Sequence, residues 1–190
     1  MRYAILMTDK SQLRSDMRAL RKRLAGLDPE AAPRAAGHAD ALPLGDPVAV
    51  YRAIGSELDT DALSLALIHQ GRALCLPVVL QPDAAMIFRL WSPGEPLEPD
   101  AAGVPAPLPL AQAVIPHLIL TPLLAFDGQG GRLGQGGGYY DRTFAALPDA
   151  IRIGFAYAGQ QVEDLPIEGH DIRLHGVLTE VGYTAARKVL

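Results

Sequence analysis

One cysteine among 190 residues excludes a disulfide scaffold. Cys75 sits in the apolar run from Ala73 to Leu80, where a buried, inert thiol is the expectation; a reducing compartment fits without being required. No apolar run approaches the roughly 20 residues that cross a bilayer, so no transmembrane helix is expected. The opening Met1-Arg-Tyr-Ala-Ile-Leu-Met7 is too short for a secretory h-region and has no small-residue cleavage site, which points to the cytoplasm. Met7 is an alternative start, in which case residues 1–6 are an extension. An excess of positive charge is also missing. With Lys+Arg at 17 and Asp+Glu at 21, the net charge of -4 gives nucleic acid no general attraction, and no aromatic ladder interleaves the basic residues.

What remains is an ordinary globular composition, 49% apolar and 20% charged, with 16 prolines and 19 glycines that call for many turns. The length supports a sizeable core, read as one domain over residues 1–190 with residues 1–7 as a possible disordered extension. Glycine is concentrated in one place. Asp127 to Arg142 reads Asp-Gly-Gln-Gly-Gly-Arg-Leu-Gly-Gln-Gly-Gly-Gly-Tyr-Tyr-Asp-Arg, with seven glycines before Tyr139. Glycine loses more backbone freedom on folding than any other residue, so such a run is costly unless it binds something. The apolar run Val114 to Leu124 precedes it and an amphipathic stretch, Tyr139 to Leu147, follows. The pattern is strand, glycine loop, helix.

The rest of the chain places that loop in an alternating fold. Thr8 or Ser11 caps a helix carrying Leu13, Met17, Leu20 and Leu24, closed by Gly26, and a second helix starts at Asp28-Pro29 and fades before Pro43. Val48 to Tyr51 and Ala73 to Val79 read as buried strands around a helix from Thr60 to Gln70 that Gly71 stops, which makes a β-α-β unit. Met86 to Trp91, Val114 to Leu120, Ile151 to Ala156 and Val177 to Val181 are further strands, and Pro93 to Pro109 is a proline-rich excursion. The expectation is an α/β sandwich with a largely parallel sheet whose ligands sit at the carboxyl ends of strands.

A glycine loop running into a helix N-terminus fits phosphate: bared N–H groups converge on the anion, and Arg132 adds a full charge. It is not a P-loop, because Tyr139-Tyr140 stand where Lys and Ser/Thr belong; a Rossmann fingerprint forced onto Gly131 to Gly136 is weak in so glycine-rich a run. A flexible surface loop is the bland alternative. Asp141, close to the proposed phosphates, is either a magnesium carboxylate or a first-turn helix carboxylate favoured by the dipole. At the N-terminus, Lys10, Arg14 and Arg18 share a helix face that Arg21 and Lys22 extend, and seven basic residues face two acidic ones among the first 23. That stripe is either a phosphate grip or a solvated face.

These residues carry a resemblance. Thr121-Pro-Leu-Leu-Ala-Phe-Asp127 followed by Arg132-Leu-Gly-Gln-Gly-Gly-Gly-Tyr-Tyr-Asp-Arg142 resembles the central motif of the 5-formyltetrahydrofolate cyclo-ligase family. Lys10-Ser-Gln-Leu-Arg14 is similar to the family's N-terminal Lys-x-x-x-Arg, and Glu57-Leu-Asp-Thr60 to its Glu-hydrophobic-acid-Thr segment. Ile153-Gly-Phe-Ala-Tyr157, Leu165-Pro166, and His170-Asp171 through Gly176-Val-Leu-Thr-Glu180 follow its closing pattern, so the likeness covers the chain from about Thr8.

The resemblance implies a three-layer sandwich of the NagB/RpiA/CoA-transferase type with N-terminal helices. It also implies a cytoplasmic ligase, a monomer or weak homodimer, that uses ATP and Mg²⁺ to convert 5-formyltetrahydrofolate into 5,10-methenyltetrahydrofolate, with no nucleic acid or membrane partner. Carried over, Lys10 and Arg132 are catalytic, and ATP lies against Lys10, Arg14 and the loop Arg132, Leu133, Gly134, Gln135, Gly136, Gly137, Gly138, Tyr139 and Tyr140. The folate borders Arg52, Glu57, Gln135, Gly136, Gly137, Gly138 and Tyr139, and Asp141 and Asp171 hold magnesium. Three positions depart from the pattern: Gln135 replaces an aromatic, methionine or basic residue, Ala106 a glutamate, and Ala102 an aromatic. They keep open an ATP-dependent relative acting on another small molecule, a folate-binding protein with little turnover, and, through the basic helix, a nucleic-acid-binding module.

Overall fold

The computed structural model describes residues 10–166, 168–169 and 171–187. The expectations for Met1 to Thr8, including the extension and the Thr8 cap, and for His170 lie outside them.

Among the described residues, four α-helices and twelve strands follow one another as α1 (Lys10–Leu27), α2 (Ala31–Ala36), β1 (Val48–Ala49), α3 (Asp61–His69), β2 (Leu74–Val78), β3 (Ile87–Leu90), β4 (Leu97–Pro99), β5 (Pro105–Pro107), β6 (Ala113–Val114), β7 (Leu118–Pro122), β8 (Ala125–Phe126), β9 (Arg132–Leu133), α4 (Tyr139–Ala146), β10 (Ile151–Phe155), β11 (Gly176–Thr179) and β12 (Gly182–Ala185). The main sheet has eight strands in the order β12-β11-β10-β7-β1-β2-β3-β6. β11, β10, β7, β1 and β2 run parallel, while β12, β3 and β6 each pair antiparallel with their inner neighbour.

The central strands are apolar on both faces because both faces are covered. Val48, Val50, Leu74, Leu76, Leu118 and Leu120 point to one side, where they pack with Ala31 and Ala35 of α2 and Leu63 and Leu67 of α3. Ala49, Cys75 and Ile119, one residue out of phase, point to the other side and meet Phe144 of α4. This is the expected three-layer arrangement with a mostly parallel sheet. Burial pushes the Cys75 thiol up to about 12, and its partnerless, enclosed position matches the inert role. α1 lies apart, pressing Leu13 and Met17 onto Leu124, Ala125, Leu133, Val162 and Leu165.

Four details differ from the sequence reading. The run Val114 to Leu120 is two strands, not one: Pro116 cannot donate to a ladder, so the chain leaves the far edge at β6 and re-enters at the centre as β7. The proline-rich excursion contains the β4–β5 hairpin. A second hairpin, β8–β9, interrupts the path from strand to helix. β12 was not anticipated, since Gly182-Tyr-Thr-Ala is a polar edge segment.

Gly176 tests the close packing of this edge. A Cβ there would stand 2.7 Å from the Thr184 carbonyl oxygen and 2.6 Å from the Tyr183 hydroxyl. Gly176→Ala is therefore expected to lower stability by about 1–3 kcal/mol, read as a fall in the urea midpoint.

Candidate active site

A cavity of about 730 Å³ opens over the carboxyl ends of β1, β2 and β7, where Tyr51 and Arg52, Val79, and Pro122 and Leu123 form part of its wall. The chain runs outward from β1 to β2 on one side and from β7 to β10 on the other. The cavity thus sits where the strand order reverses, the place where open α/β sheets bind ligands.

The glycine segment divides its labour. Asp127 Oδ1 accepts hydrogen bonds from the N–H groups of Gln129 and Gly131 at 2.8 Å each, which fixes the β8–β9 turn. Gly130, at φ +83°, must be glycine because a Cβ would lie 2.3 Å from the Leu174 carbonyl oxygen. Gly128, Gly130 and Gly131 therefore build a turn, and are not in the cavity wall as an anion cradle would require. Gly134, Gly136, Gly137 and Gly138 do line it. Gly138, at φ +68°, turns the chain into α4, whose first turn carries no side-chain cap. Its orphan N–H groups sit on the cavity side of the helix end with the positive pole of the dipole. Arg142 braces this loop from behind, donating to the carbonyls of Gly137 (3.0 Å), Pro82 (2.8 Å) and Ala84 (3.2 Å), with its guanidinium 5.1 Å from the Tyr139 ring.

The basic stripe of α1 closes over the loop. Arg14 Nε donates to the Gly134 carbonyl, 120 residues on, at 3.2 Å, and Arg18 Nε donates to Gln135 Oε1 at 2.8 Å. Lys10 Nζ pairs with Asp171 at 2.8 Å and Glu168 at 3.0 Å. Burial opposes the Lys10 charge, but the hydrogen bonds it donates to Asp171 and Glu168 outweigh that and hold the ammonium above its usual range. Arg132, from β9, donates to Asp141 Oδ1 at 2.6 Å and to the Ile172 carbonyl, and lies 4.7 Å over the Phe144 ring. Lys10, Arg14, Arg132, Asp141 and Asp171 all line one cavity.

At the opposite end, Glu57 is nearly enclosed, and burial raises its carboxyl above the ordinary range although the Ile54 N–H (3.0 Å) and Arg21 (3.5 Å) both favour its charge. Tyr51 and Tyr140 border it. Burial, and next the Glu57 charge, push both phenols well up, so they are neutral donors. Arg52 is held at the rim by Asp61 (2.6 Å) and lies 5.7 Å from the Trp91 ring. Ala102 and Gln135 line the cavity. Ala106 does not: it is buried in the hairpin with 1% exposure.

The sequence reading missed Glu168, which no motif marked, and misplaced Arg21, grouping it with the phosphate-facing stripe. Leu13, Met17 and Arg21 recur every four residues on the buried face. A cation in phase with the apolar stripe was the signal available. Among the described residues, no three His, Cys, Asp or Glu side chains gather as a metal site. The carboxylates of Asp141 and Asp171 nevertheless line the same cavity, and the Ile172 N–H next to Asp171 in the chain donates to Asp141 at 3.4 Å. Such a pair suits a magnesium ion that takes its other ligands from phosphate and water.

Comparison with known proteins shows the family. Residues 6–180 match the sequence profile of the 5-formyltetrahydrofolate cyclo-ligase family. A 5-formyltetrahydrofolate cyclo-ligase of Haemophilus influenzae is 34% identical over 182 residues, covering 89% of this chain and 96% of the relative. That of Escherichia coli K12 is 37% identical over 140 residues, 70% and 76% of the two chains. The solved structure of Aquifex aeolicus 5,10-methenyltetrahydrofolate synthetase superimposes with a TM-score of 0.79 at 28% identity, covering 95% of this chain and 94% of that one. The Mycoplasma pneumoniae synthetase, with a TM-score of 0.72 at 22% identity over 91% of this chain and 99% of that one, shares the fold.

Gly136 joins the loop to α1: it has φ +104°, and a Cβ would stand 3.5 Å from the Arg14 guanidinium. Alanine there carries about 1–3 kcal/mol of backbone strain. Gly136→Ala is expected to weaken ATP binding about tenfold, measured by equilibrium titration, with the melting midpoint lowered by about 2–10 °C.

Proposed function

The chain belongs to the 5-formyltetrahydrofolate cyclo-ligase family, and from that premise we propose how its cavity converts 5-formyltetrahydrofolate into 5,10-methenyltetrahydrofolate with ATP and magnesium. The observation that carries this reading is the convergence of Lys10, Arg14 and Arg132 with the glycine loop on one cavity. No nucleophilic side chain is required, because the chemistry is phosphoryl transfer between bound substrates, where positioning and charge neutralisation dominate.

The N5-formyl group is amide-like, a poor electrophile whose oxygen leaves badly. Its oxygen attacks the γ-phosphorus of ATP, and the bond from phosphorus to the ADP oxygen breaks. The resulting iminophosphate carbon is then attacked by N10, which loses its proton, and phosphate departs with the former formyl oxygen. Lys10 and Arg132 neutralise the charge on the transferred group and the departing phosphates. Arg14 fixes the loop through Gly134, and the N–H groups of the loop and of the first turn of α4 bind phosphate oxygens. Asp141 and Asp171 are the carboxylates that would hold magnesium, which when bound supplies further charge neutralisation at the phosphates.

Lys10 and Arg132 each already have a carboxylate partner. A polyphosphate alone at these cations would strand Asp171 and Asp141, whereas one accompanied by a divalent cation satisfies all four groups. The folate ring occupies the other end, with its N–H donors on Glu57 and its body against Arg52 and the loop from Gln135 to Tyr139. Ala102 widens that wall. No helix among the described residues is long and apolar enough to cross a membrane. The same reading places a monomer or weak homodimer in the cytoplasm, with folate and ATP rather than nucleic acid as partners, since α1 directs Lys10 and Arg14 into the cavity.

Incubation with 5-formyltetrahydrofolate, ATP and Mg²⁺ is expected to produce the methenyl chromophore, and a rate no higher than the enzyme-free control contradicts the proposal. Arg132→Ala is expected to cut turnover about 10²–10³-fold with a native circular dichroism spectrum.

A further inference from the structure

Arg21 is a buried charge to which phosphoryl transfer gives no task. It is 5% exposed on the apolar stripe of α1, yet it reaches the cavity wall. Its Nε donates to Ser56 Oγ at 3.3 Å, and its Nη1 to Glu57 Oε1 at 3.5 Å and to the Leu123 carbonyl at 3.2 Å. These acceptors follow β1 and β7, the two strands that flank the reversal of strand order. A leucine or methionine would continue the packing of Leu13 and Met17, and replacing a buried ion pair with an apolar group is often neutral or stabilising. Stability alone therefore does not account for a guanidinium here.

The groups that face Glu57 narrow its role. Tyr51 approaches from the segment after β1 and Tyr140 from α4, both as neutral phenols, the Ile54 N–H holds Oε2, and Arg21 supplies the facing cation. We propose that Arg21 is a positioning residue for the substrate ring: it holds the Glu57 carboxylate aimed across the cavity, where it accepts N–H donors of the aminopyrimidinone half of the folate. It also ties that carboxylate to the helix that carries Lys10 and Arg14, so one rigid element sets both ends of the cavity. The inference rests on Glu57 being the ring acceptor.

The consequence is a pH dependence of known sign. Burial already raises the Glu57 carboxyl, and Arg21 opposes that rise. A protonated Glu57 presents an O–H where the ring presents donors, so kcat/KM for 5-formyltetrahydrofolate falls as pH drops through the Glu57 pKa. Removing the Arg21 charge raises that pKa further and moves the acid limb to higher pH.

The test is the pH profile of kcat/KM in Arg21→Met, Arg21→Lys and Glu57→Gln, with unfolding midpoints measured alongside. In Arg21→Met the acid limb is expected to move up by about one pH unit and KM for 5-formyltetrahydrofolate to rise about tenfold, with KM for ATP within about twofold. Arg21→Lys restores the limb, and Glu57→Gln abolishes it. If Arg21→Met does not fold, Arg21→Gln, which keeps donors for Ser56 and Leu123 without the charge, takes its place. An unmoved limb, with the same fractional loss at every pH, overturns the role of Arg21. A limb and KM that survive Glu57→Gln instead overturn the assignment of Glu57 itself.

Discussion

The site depends on α1 docking across the end of β7 and the loop that follows it. Leu13 and Met17 seat on Leu124, Ala125 and Leu133, and this contact brings residues from the start of the chain onto a loop more than a hundred positions away. The apolar contact is non-directional, so polar groups set the register: Arg14 on the Gly134 carbonyl, Arg18 on Gln135, and Lys10 on Asp171, 161 residues distant. Without that docking, the glycine loop would keep its N–H groups and Arg132 but lose a cation and one wall. A P-loop carries its lysine within the loop. Here the corresponding charge arrives on a separate helix, and the loop ends in Tyr139-Tyr140 instead.

Charge balance is the second constraint. Lys10 and Arg132 lie in a partly desolvated cavity, where an unpaired charge is costly, and each is matched by a carboxylate. On the proposed reading the same arrangement would couple nucleotide to metal, because neither exchange of partners is favourable alone. Phe144 and Arg142 stiffen the arrangement from behind, one beneath the Arg132 guanidinium and the other through three backbone carbonyls. Positioning of this kind suits a reaction in which both reactants are bound molecules and the protein contributes no bond-forming atom.

Much of this was legible in the sequence where one physical signal dominated. β1, β2 and β7 are apolar on both faces, β10 is apolar on one, and Gly71, at φ +79°, ends α3 where a helix stop was read. Lys10 and Arg14 were identifiable from their spacing and from resemblance together. Signals were misread where two uses of one residue type overlap. Glycine serves a hairpin at Gly130 and a cavity wall at Gly136, and only the fold separates the Asp127 turn from the loop beyond it. Proline hid both the β4–β5 hairpin and the break between β6 and β7. Arg21 was grouped with its basic neighbours, although its phase with Leu13 and Met17 placed it on the opposite side of the helix from solvent. Glu168 contributes through a turn with Asp171 that no local pattern announces.

On the proposed reading α1 and the glycine loop form one nucleotide site. Lys10 belongs to no part of the loop, so equilibrium titration of ATP with Mg²⁺ into wild type and Lys10→Ala separates the two contributions. Binding weaker by about tenfold or more is expected, as befits loss of a charge-assisted contact, with an unfolding midpoint close to wild type. Unchanged affinity in the folded variant overturns the shared site and leaves the loop to bind phosphate alone.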